Sequence, residues 1–387
     1  MKVFLSLLGR EFKLFWNNKV LLLLFLGAPI LYGVLIGSVY QKGVVDNLSI
    51  VVVDQDRSEL SRKAINMMED NNSVYIAETL FDTHKMHKVA ADHKATCVVV
   101  IPKNFEKDIL LKRYPELISY INTSNLLTAN IASSALQLSL GTLRAGIEIE
   151  ALQKQGVAEN IAMTQFEPFK MSFIRMNNRS TNYLYFLWPG VLATVFQQVL
   201  LLGLALSFTQ EYENGTFGEL IDRTSSTLKL LLVKCLPYLI MSIGIWGIYI
   251  GFATWFRVPI HNNFIALTLI AGLFVFAVAA IGILVSIILP TQLKATEVLM
   301  VIATPSFMIS GFTWPLDQMP VWVQTFSNTI PLTHFLEAFR ILMVESGTFK
   351  QTIPAIKSIA IIAIVCSITA YVVLWFKIRK HKKAQEA

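Results

Sequence analysis

The chain has 387 residues, of which 54% are hydrophobic and 15% charged, with a formal net charge of +7. Ordinary soluble domains carry about 25% charged residues, so this composition excludes an ordinary soluble domain and points to a membrane protein. The basic residues fall at the edges of apolar runs and form no stripe interleaved with aromatics, which argues against nucleic acid as a partner. 

The amino end, residues 1–19, reads as an amphipathic helix. On a wheel of 100° per residue, Lys2, Ser6, Gly9, Arg10, Lys13 and Asn17 share one arc. Phe4, Leu5, Leu7, Leu8, Phe12, Leu14, Phe15 and Trp16 fill the rest, as in a helix lying on a leaflet surface. Glu11 breaks the apolar side, and an acid there calls for a partner. The first apolar run, Val20–Tyr40, has no small-residue cleavage site after it and reads as a retained anchor.

Residues 41–182 are polar and charge-balanced. "LSIVVVDQDRSEL" predicts a strand running into a helix, with Asp56 as N-cap and Glu59 completing a capping box. "ATCVVVIPKNF" and "LISYINTS" predict two more strands, with helical stretches between and after them, above all over 126–155. This is a mixed α/β domain inserted between the first two spans.

Five further stretches are long and apolar enough to span: about 183–208, 230–256, 264–289, 298–314 and 355–376. The fold class is therefore an α-helical multi-pass membrane protein of six spans, with a five-span membrane domain over 183–376. Lys and Arg concentrate before the first span, in the 209–230 connector and in the tail 377–387. The positive-inside rule then makes both termini and that connector cytoplasmic, and 41–182 extracytoplasmic. Between 310 and 345, Pro315, Pro320 and Pro331 break a semi-apolar stretch. Re-entrant or interfacial outer helices over 315–350 suit it, because broken backbone at membrane depth must be buried in protein. Glu337 and Arg340 stand at i, i+3 spacing and His334 one turn earlier, so a local ion pair is expected. Gln197 and Gln198, mid-span, are placed for a hydrogen bond between helices.

Chemistry-bearing patterns are sparse. "DQD" at 54–56 lacks a second acidic cluster, and its acids are read as helix-capping. His84, His87 and His93 lie in a polar, Lys-rich segment and are read as a solvated face rather than metal ligands. Cys97, Cys235 and Cys366 are too far apart for a zinc motif. No phosphate-binding G-x-x-x-x-G-K-[ST] loop occurs, so ATP, if used, is hydrolysed by another polypeptide. The connector "QEYENGTFGEL" packs Glu211, Glu213 and Glu219 around a single Asn-Gly pair. With no nucleophile or metal set beside them, they read as a partner-facing or helix-orienting group on the cytoplasmic side, with Arg10 as the nearest cation for Glu213. Glu213 holding the turn by itself is the alternative.

These stretches together resemble the membrane subunits of ABC exporters of the ABC-2 type, in the subgroup with a large extracytoplasmic domain after the first span. Arg10-Glu11 on the amino helix and Pro29 in the first span fit that family. Glu213, Gly215, Thr216 and Leu220 match its E-x-G-T-x-x-x-L signature, and Lys234 and Pro237 match the start of its next span. "SGFTWPLDQMP" and "IPLTHFLEAFR" resemble its carboxy-terminal signature through Gly311, Pro315, Pro320, Pro331, His334, Glu337 and Arg340. The resemblance implies a dimer with a second copy or a paralogue, seated on cytoplasmic ABC ATPase subunits. ATP and magnesium would be bound by those subunits, with no cofactor in this chain. Docking is expected through Arg10, Glu11, Glu211, Glu213, Gly215, Thr216 and Glu219. The retained anchor also fits a bacterial inner-membrane subunit of a multidrug-type efflux system whose outer domain meets a periplasmic adaptor. A membrane-anchored sensor acting through 41–182 and an ion-coupled carrier are the rival readings; few charges inside the spans disfavour the carrier.

Overall fold

Asn18 breaks the amino-terminal stretch into two helices. Helix α1 (Lys2–Asn17) stops there. The Asn18 side chain accepts hydrogen bonds from the backbone N–H groups of Val20 and Leu21 at 3.1 and 3.2 Å, starting α2 (Lys19–Leu22). A π-helical turn, Leu23–Gly27, leads into α3 (Ala28–Val39), whose first turn holds Pro29. Together Lys19–Val39 is long and apolar enough to cross a membrane. The computed structural model describes residues 2–166, 174, 176–178, 180–224, 226–259 and 263–386. It divides the chain into two units, Met1–Gly43 with Arg175–Ala387, and Val44–Ile174.

The smaller unit is a four-stranded sheet with helices on its faces. In chain order it runs β1 (Leu48–Asp54), α4 (Glu59–Glu69), β2 (Val74–Leu80), α5 (Met86–Asp92), β3 (Cys97–Ile101), α6 (Phe105–Leu110), β4 (Ile118–Ile121), α7 (Leu126–Lys154) and α8 (Glu159–Phe166). The strand order is β2-β1-β3-β4, with β1 parallel to both β2 and β3 and β4 antiparallel to β3. Strands β1 and β3 are buried on both faces, which explains their unbroken valine and isoleucine runs. Ile50, Val52, Val99 and Ile101 pack with Met68 and Leu136 on one face; Val51, Val53, Val98 and Val100 pack with Met86 on the other.

Two local expectations change here. Strand β2 lies where helix was expected, because "VYIAETL" is a half-exposed strand whose polar positions mask its β pattern. The N-cap of α4 is Ser58, whose hydroxyl accepts from the Ser61 N–H at 3.0 Å, and not Asp56. Asp54 instead holds the turn, accepting from the N–H groups of Asp56 and Arg57 and from the Ser61 hydroxyl. Asp56 reaches across to the Glu106 N–H at 3.0 Å. His93 Nε2 lies 2.9 Å from Glu78 at the exposed surface.

The larger unit is helical. After α3 it continues through α9 (Tyr183–Glu213), α10 (Phe217–Arg223), α11 (Thr227–Trp255), α12 (Phe264–Ile288) and α13 (Gln292–Ile309). A 3-10 turn (Leu316–Gln318), α14 (Val321–Ser327), α15 (Pro331–Phe339), a π turn (Arg340–Val344) and another 3-10 turn (Phe349–Thr352) follow, then α16 (Ile353–Glu386). Helix α9 is the centre: 78% of its most apolar stretch is buried, and it packs on α3, α11, α12 and α13. Gln197 donates to the Ser306 hydroxyl of α13 at 3.1 Å, so an interhelical bond forms at this position as expected, with α13 as the partner. Helix α3 meets α11 through small residues. A Cβ at Gly33 would stand 2.6 Å from Phe252, and one at Gly37 2.3 Å from Phe256.

Among the described residues, five helical segments, not six, are long and apolar enough to cross a membrane. The stretch expected as the remaining span, 298–314, falls within and beyond α13, which has 18 residues, carries Lys294 and Glu297 near its start and ends at Ile309. The three prolines of the broken stretch act as read: Pro315 and Pro320 precede short helices and Pro331 begins one.

Candidate functional site

At the carboxy end of α9, three helices bring four charged side chains into one buried cluster. Helix α1 turns Leu7, Glu11 and Phe15 inward, one stripe at i, i+4, i+8. Phe15 seats edge-on against Phe25 and Tyr238, with ring centroids at 5.2 and 5.6 Å. That packing fixes Glu11 opposite Lys234, two turns into α11 and only 2% exposed. Lys234 Nζ donates to Glu11 at 3.0 Å and to Glu211 Oε1 at 2.7 Å. Arg10 grips Glu211 with both terminal nitrogens, at 2.8 and 3.1 Å, and its Nη1 also reaches Glu11 at 3.2 Å. The Thr216 hydroxyl donates a short bond to the second oxygen of Glu211.

Two cations and two anions cancel. Neutrality and the hydrogen bonds on Glu211 are what permit burial of charges whose desolvation alone costs several kcal/mol each. Burial raises the pKa of the Glu11 carboxyl against the pull of Lys234, and the Glu211 hydrogen bonds raise that of Arg10. 

The motif Glu-Asn-Gly-Thr explains how the chain reaches this cluster. Helix α9 closes on Asn214, and Gly215 takes a left-handed φ of +69° that a side chain would strain. The turn returns Thr216 toward Glu211, and its N–H donates to the Glu211 carbonyl at 3.0 Å. Helix α10 then starts with Glu219 in its first turn, where an acid complements the helix dipole.

The three connector carboxylates therefore part company. Glu211 is buried and partnered within the chain, as is Glu11, so neither side chain faces outward. Glu213 is exposed and does not meet Arg10; it accepts from the Gln292 N–H at 2.8 Å and from the Gln292 side chain, tying the connector to the start of α13. Glu219 is exposed on α10, beside Asp222 and Arg223, while Leu220 and Ile221 face inward. Lys234 was absent from the candidate residues. Its signal was available: a single lysine within an apolar run needs an anion. The carboxy-terminal helix closes the cluster's flank, with Lys377 over the Tyr212 ring at 4.4 Å and His381 against Phe217 at 5.9 Å.

The broken stretch gathers at the other end of α9. Arg340 does not take up the expected pair with Glu337. Its guanidinium donates to the carbonyls of Gly311 and Phe312 at 3.0 and 2.9 Å and covers the Phe312 ring. Glu337 is 3.9 Å from His334 Nδ1, while His334 Nε2 lies 2.9 Å from the Asn328 carbonyl. Ser327 links the Ile309 carbonyl to the Thr333 hydroxyl, at 2.7 and 2.9 Å. Gly311, with φ +79°, makes the turn that frees these carbonyls. Phe312 stacks on Phe186 of α9 at 5.4 Å. 

Known proteins are similar to this chain in sequence at low identity. "Probable multidrug ABC transporter permease YbhR" of Escherichia coli is 21% identical over 294 residues, covering 76% of this chain and 77% of that protein. "Linearmycin resistance permease protein LnrN" of Bacillus subtilis is 24% identical over 347 residues, or 86% and 88% of the two chains. "Inner membrane transport permease YhhJ" of Escherichia coli is 23% identical over 337 residues, or 82% and 83%. The model of the family described as "ABC-2 family transporter protein" matches residues 19–372, from the first apolar helix almost to the basic end of α16, and the chain therefore belongs to the ABC-2 family of transporter proteins.

Proposed function

We propose that this chain is the membrane permease of an ATP-driven exporter, working with a separate cytoplasmic ABC ATPase that binds ATP and magnesium. The observation that carries the mechanism is the neutral Arg10–Glu11–Glu211–Lys234 cluster. It fastens α1 to the carboxy end of α9 and the start of α11 by buried charge-assisted bonds. A push on α1 or on the short α10 is thereby delivered to two long apolar helices at once. The docking face is the outer side of α10 and the preceding turn, where Glu213, Asn214, Gly215, Glu219, Asp222 and Arg223 are exposed. 

In this reading α13 is the sixth crossing, its charged start lying at the cytoplasmic boundary with Glu213. Both termini face the cytoplasm, as the Lys and Arg distribution supports. The sheet unit is extracytoplasmic, and the broken helices between 315 and 350 line the outer side. Exposed Leu5 and Trp16, adjacent on the helical wheel, give α1 a face for the lipid surface. The permease pairs with a second copy or a paralogue in a bacterial inner membrane, and its sheet unit is the surface for a periplasmic adaptor. The relatives named for multidrug transport and linearmycin resistance support a multidrug-type efflux role.

The test is copurification of the tagged chain from its native membrane. A stoichiometric ATPase whose activity requires this subunit is the expected result, with export weakened by Glu219→Lys at the docking face. If no ATPase accompanies the chain and substitutions along α10 leave export intact, the reading fails.

A further inference from the structure

Helix α10 has seven residues, and a helix of that length does not hold itself in place, so its contacts decide where it sits. Its first residue, Phe217, is half-buried among three rings. Phe208 and Tyr212 of α9 stand edge-on to it, with centroids at 6.5 and 4.9 Å. The third ring, His381, closes the socket from α16 at 5.9 Å, also edge-on. At the next position a Cβ on Gly218 would stand 3.1 Å from His381 Nε2, so the α10 backbone meets the same imidazole. The α16 side is itself anchored. Lys377, one turn before His381, lies over the Tyr212 ring at 4.4 Å and donates to the Ile287 carbonyl at the end of α12. The Tyr212 hydroxyl donates to that carbonyl at 3.4 Å. The ion cluster joins α1, α9 and α11; this second node joins α10 to α9, α12 and α16.

We propose that Phe217 is the positioning residue that carries movement of α10 to the carboxy-terminal helix. The inference rests on the reading of α10 as the ATPase docking face and adds a second output to the α9–α11 route. Leu220 and Ile221 bury α10 in the common core, while Phe217 and Gly218 bring it against α16. Close-packed interiors have low compressibility, so a ring seated among rings of two other helices transmits a displacement rather than absorbing it. Helix α16 runs unbroken from Ile353 to Glu386 and packs on α12 and α15. What moves its basic end therefore also reaches α15, in the broken stretch that carries Pro331 and His334.

The test uses the full-length chain copurified with its ATPase in phospholipid nanodiscs. Backbone hydrogen exchange is compared with and without magnesium, ATP and vanadate, in peptides over α10, over 227–235 and over 374–383. In the wild type all three are expected to respond to nucleotide. Phe217→Ala empties the socket. The response over 374–383 should then be lost, while the ATPase stays bound and the responses of α10 and 227–235 remain. Phe217→Tyr keeps the ring and should restore the lost response. His381→Ala opens the socket from α16 with α10 unchanged and should give the same loss, which decides the matter if Phe217→Ala does not fold. The inference is overturned, with the export reading standing, if an ATPase copurifies but the response over 374–383 is absent in the wild type or survives both alanine substitutions. A Phe217→Tyr chain that responds like Phe217→Ala overturns it as well. So does loss at all three segments, since the ring would then only hold α10 in place for docking. If no ATPase copurifies, the export reading falls and takes this inference with it.

Discussion

Lys234 shows what a single side chain can decide. Its ammonium is shared by Glu11 and Glu211, so removing it leaves two carboxylates facing one arginine in a buried site. Lys234→Met is expected to destabilise the protein by about 3–5 kcal/mol, the cost of orphaning a buried charge. Adding Glu11→Leu to it restores one cation to one anion, and most of the loss should return. Thermal unfolding of the single and double variants in detergent checks this; equal losses in both would mean that charge balance is not what the cluster maintains. Arg340 offers a contrast. Arg340→Ala strips the carbonyls of Gly311 and Phe312 of their donor and should cost about 1–3 kcal/mol. Glu337→Ala, at 56% side-chain exposure, should stay within about 0.5 kcal/mol. An ion pair between the two would have made the losses similar, so the ratio measured by unfolding discriminates. Cys97 gives a third outcome. It is 1% exposed and burial pushes its thiol up to about 12, so the reactive thiolate is scarce at neutral pH. Maleimide at neutral pH should spare Cys97 until the sheet unit unfolds, as mass spectrometry of labelled peptides would report.

At the scale of helices and strands, periodicity and length told most of the story. The long apolar helices follow from continuous apolar runs, and strands β1 and β3 from runs buried on both faces. Strand β2 did not stand out, because Glu78 and Thr79 interrupt a short half-exposed segment. Helix α13 was overestimated as an apolar span because its apolar residues run past Ser310 into a turn, where Gly311 and Pro315 end it. The partners of Glu211, Glu213 and Arg340 were hidden for a different reason. They lie 201, 79 and 29 residues away in sequence, and spacing rules reach only one or two helical turns. Close approach between helices is testable at the same scale. Gly33→Leu would drive a side chain into Phe252, part α3 from α11 and cost about 1–3 kcal/mol. Gly9→Leu, with open space around it in mid-helix, meets no clash and should raise the unfolding temperature slightly, since a mid-helix glycine costs about 0.5–1 kcal/mol.

For the whole molecule, the fold separates two kinds of polar device along one central helix. The ion cluster occupies one end of α9, and the Arg340 carbonyl clamp lies toward the other. Among the described residues the ion cluster is built from side chains of the helical unit, and the sheet unit has two cores of its own. A variant that collapses the sheet, such as Val99→Asp, should therefore leave the ion cluster formed. Native-state hydrogen exchange of the full chain would show protection lost over 48–121 and kept around Lys234; loss at both would refute this independence.

Helix α9 has 31 residues. At 1.5 Å per residue it is about 46 Å long, against roughly 30 Å of hydrocarbon in a bilayer. About ten of its residues must therefore stand clear of the lipid tails, and Glu211 is the third from its end. On the export reading, the acid that four donors surround in the finished protein thus stands at headgroup depth. During insertion, Glu211 and Lys234 can each remain hydrated at the boundary until α1 folds over them.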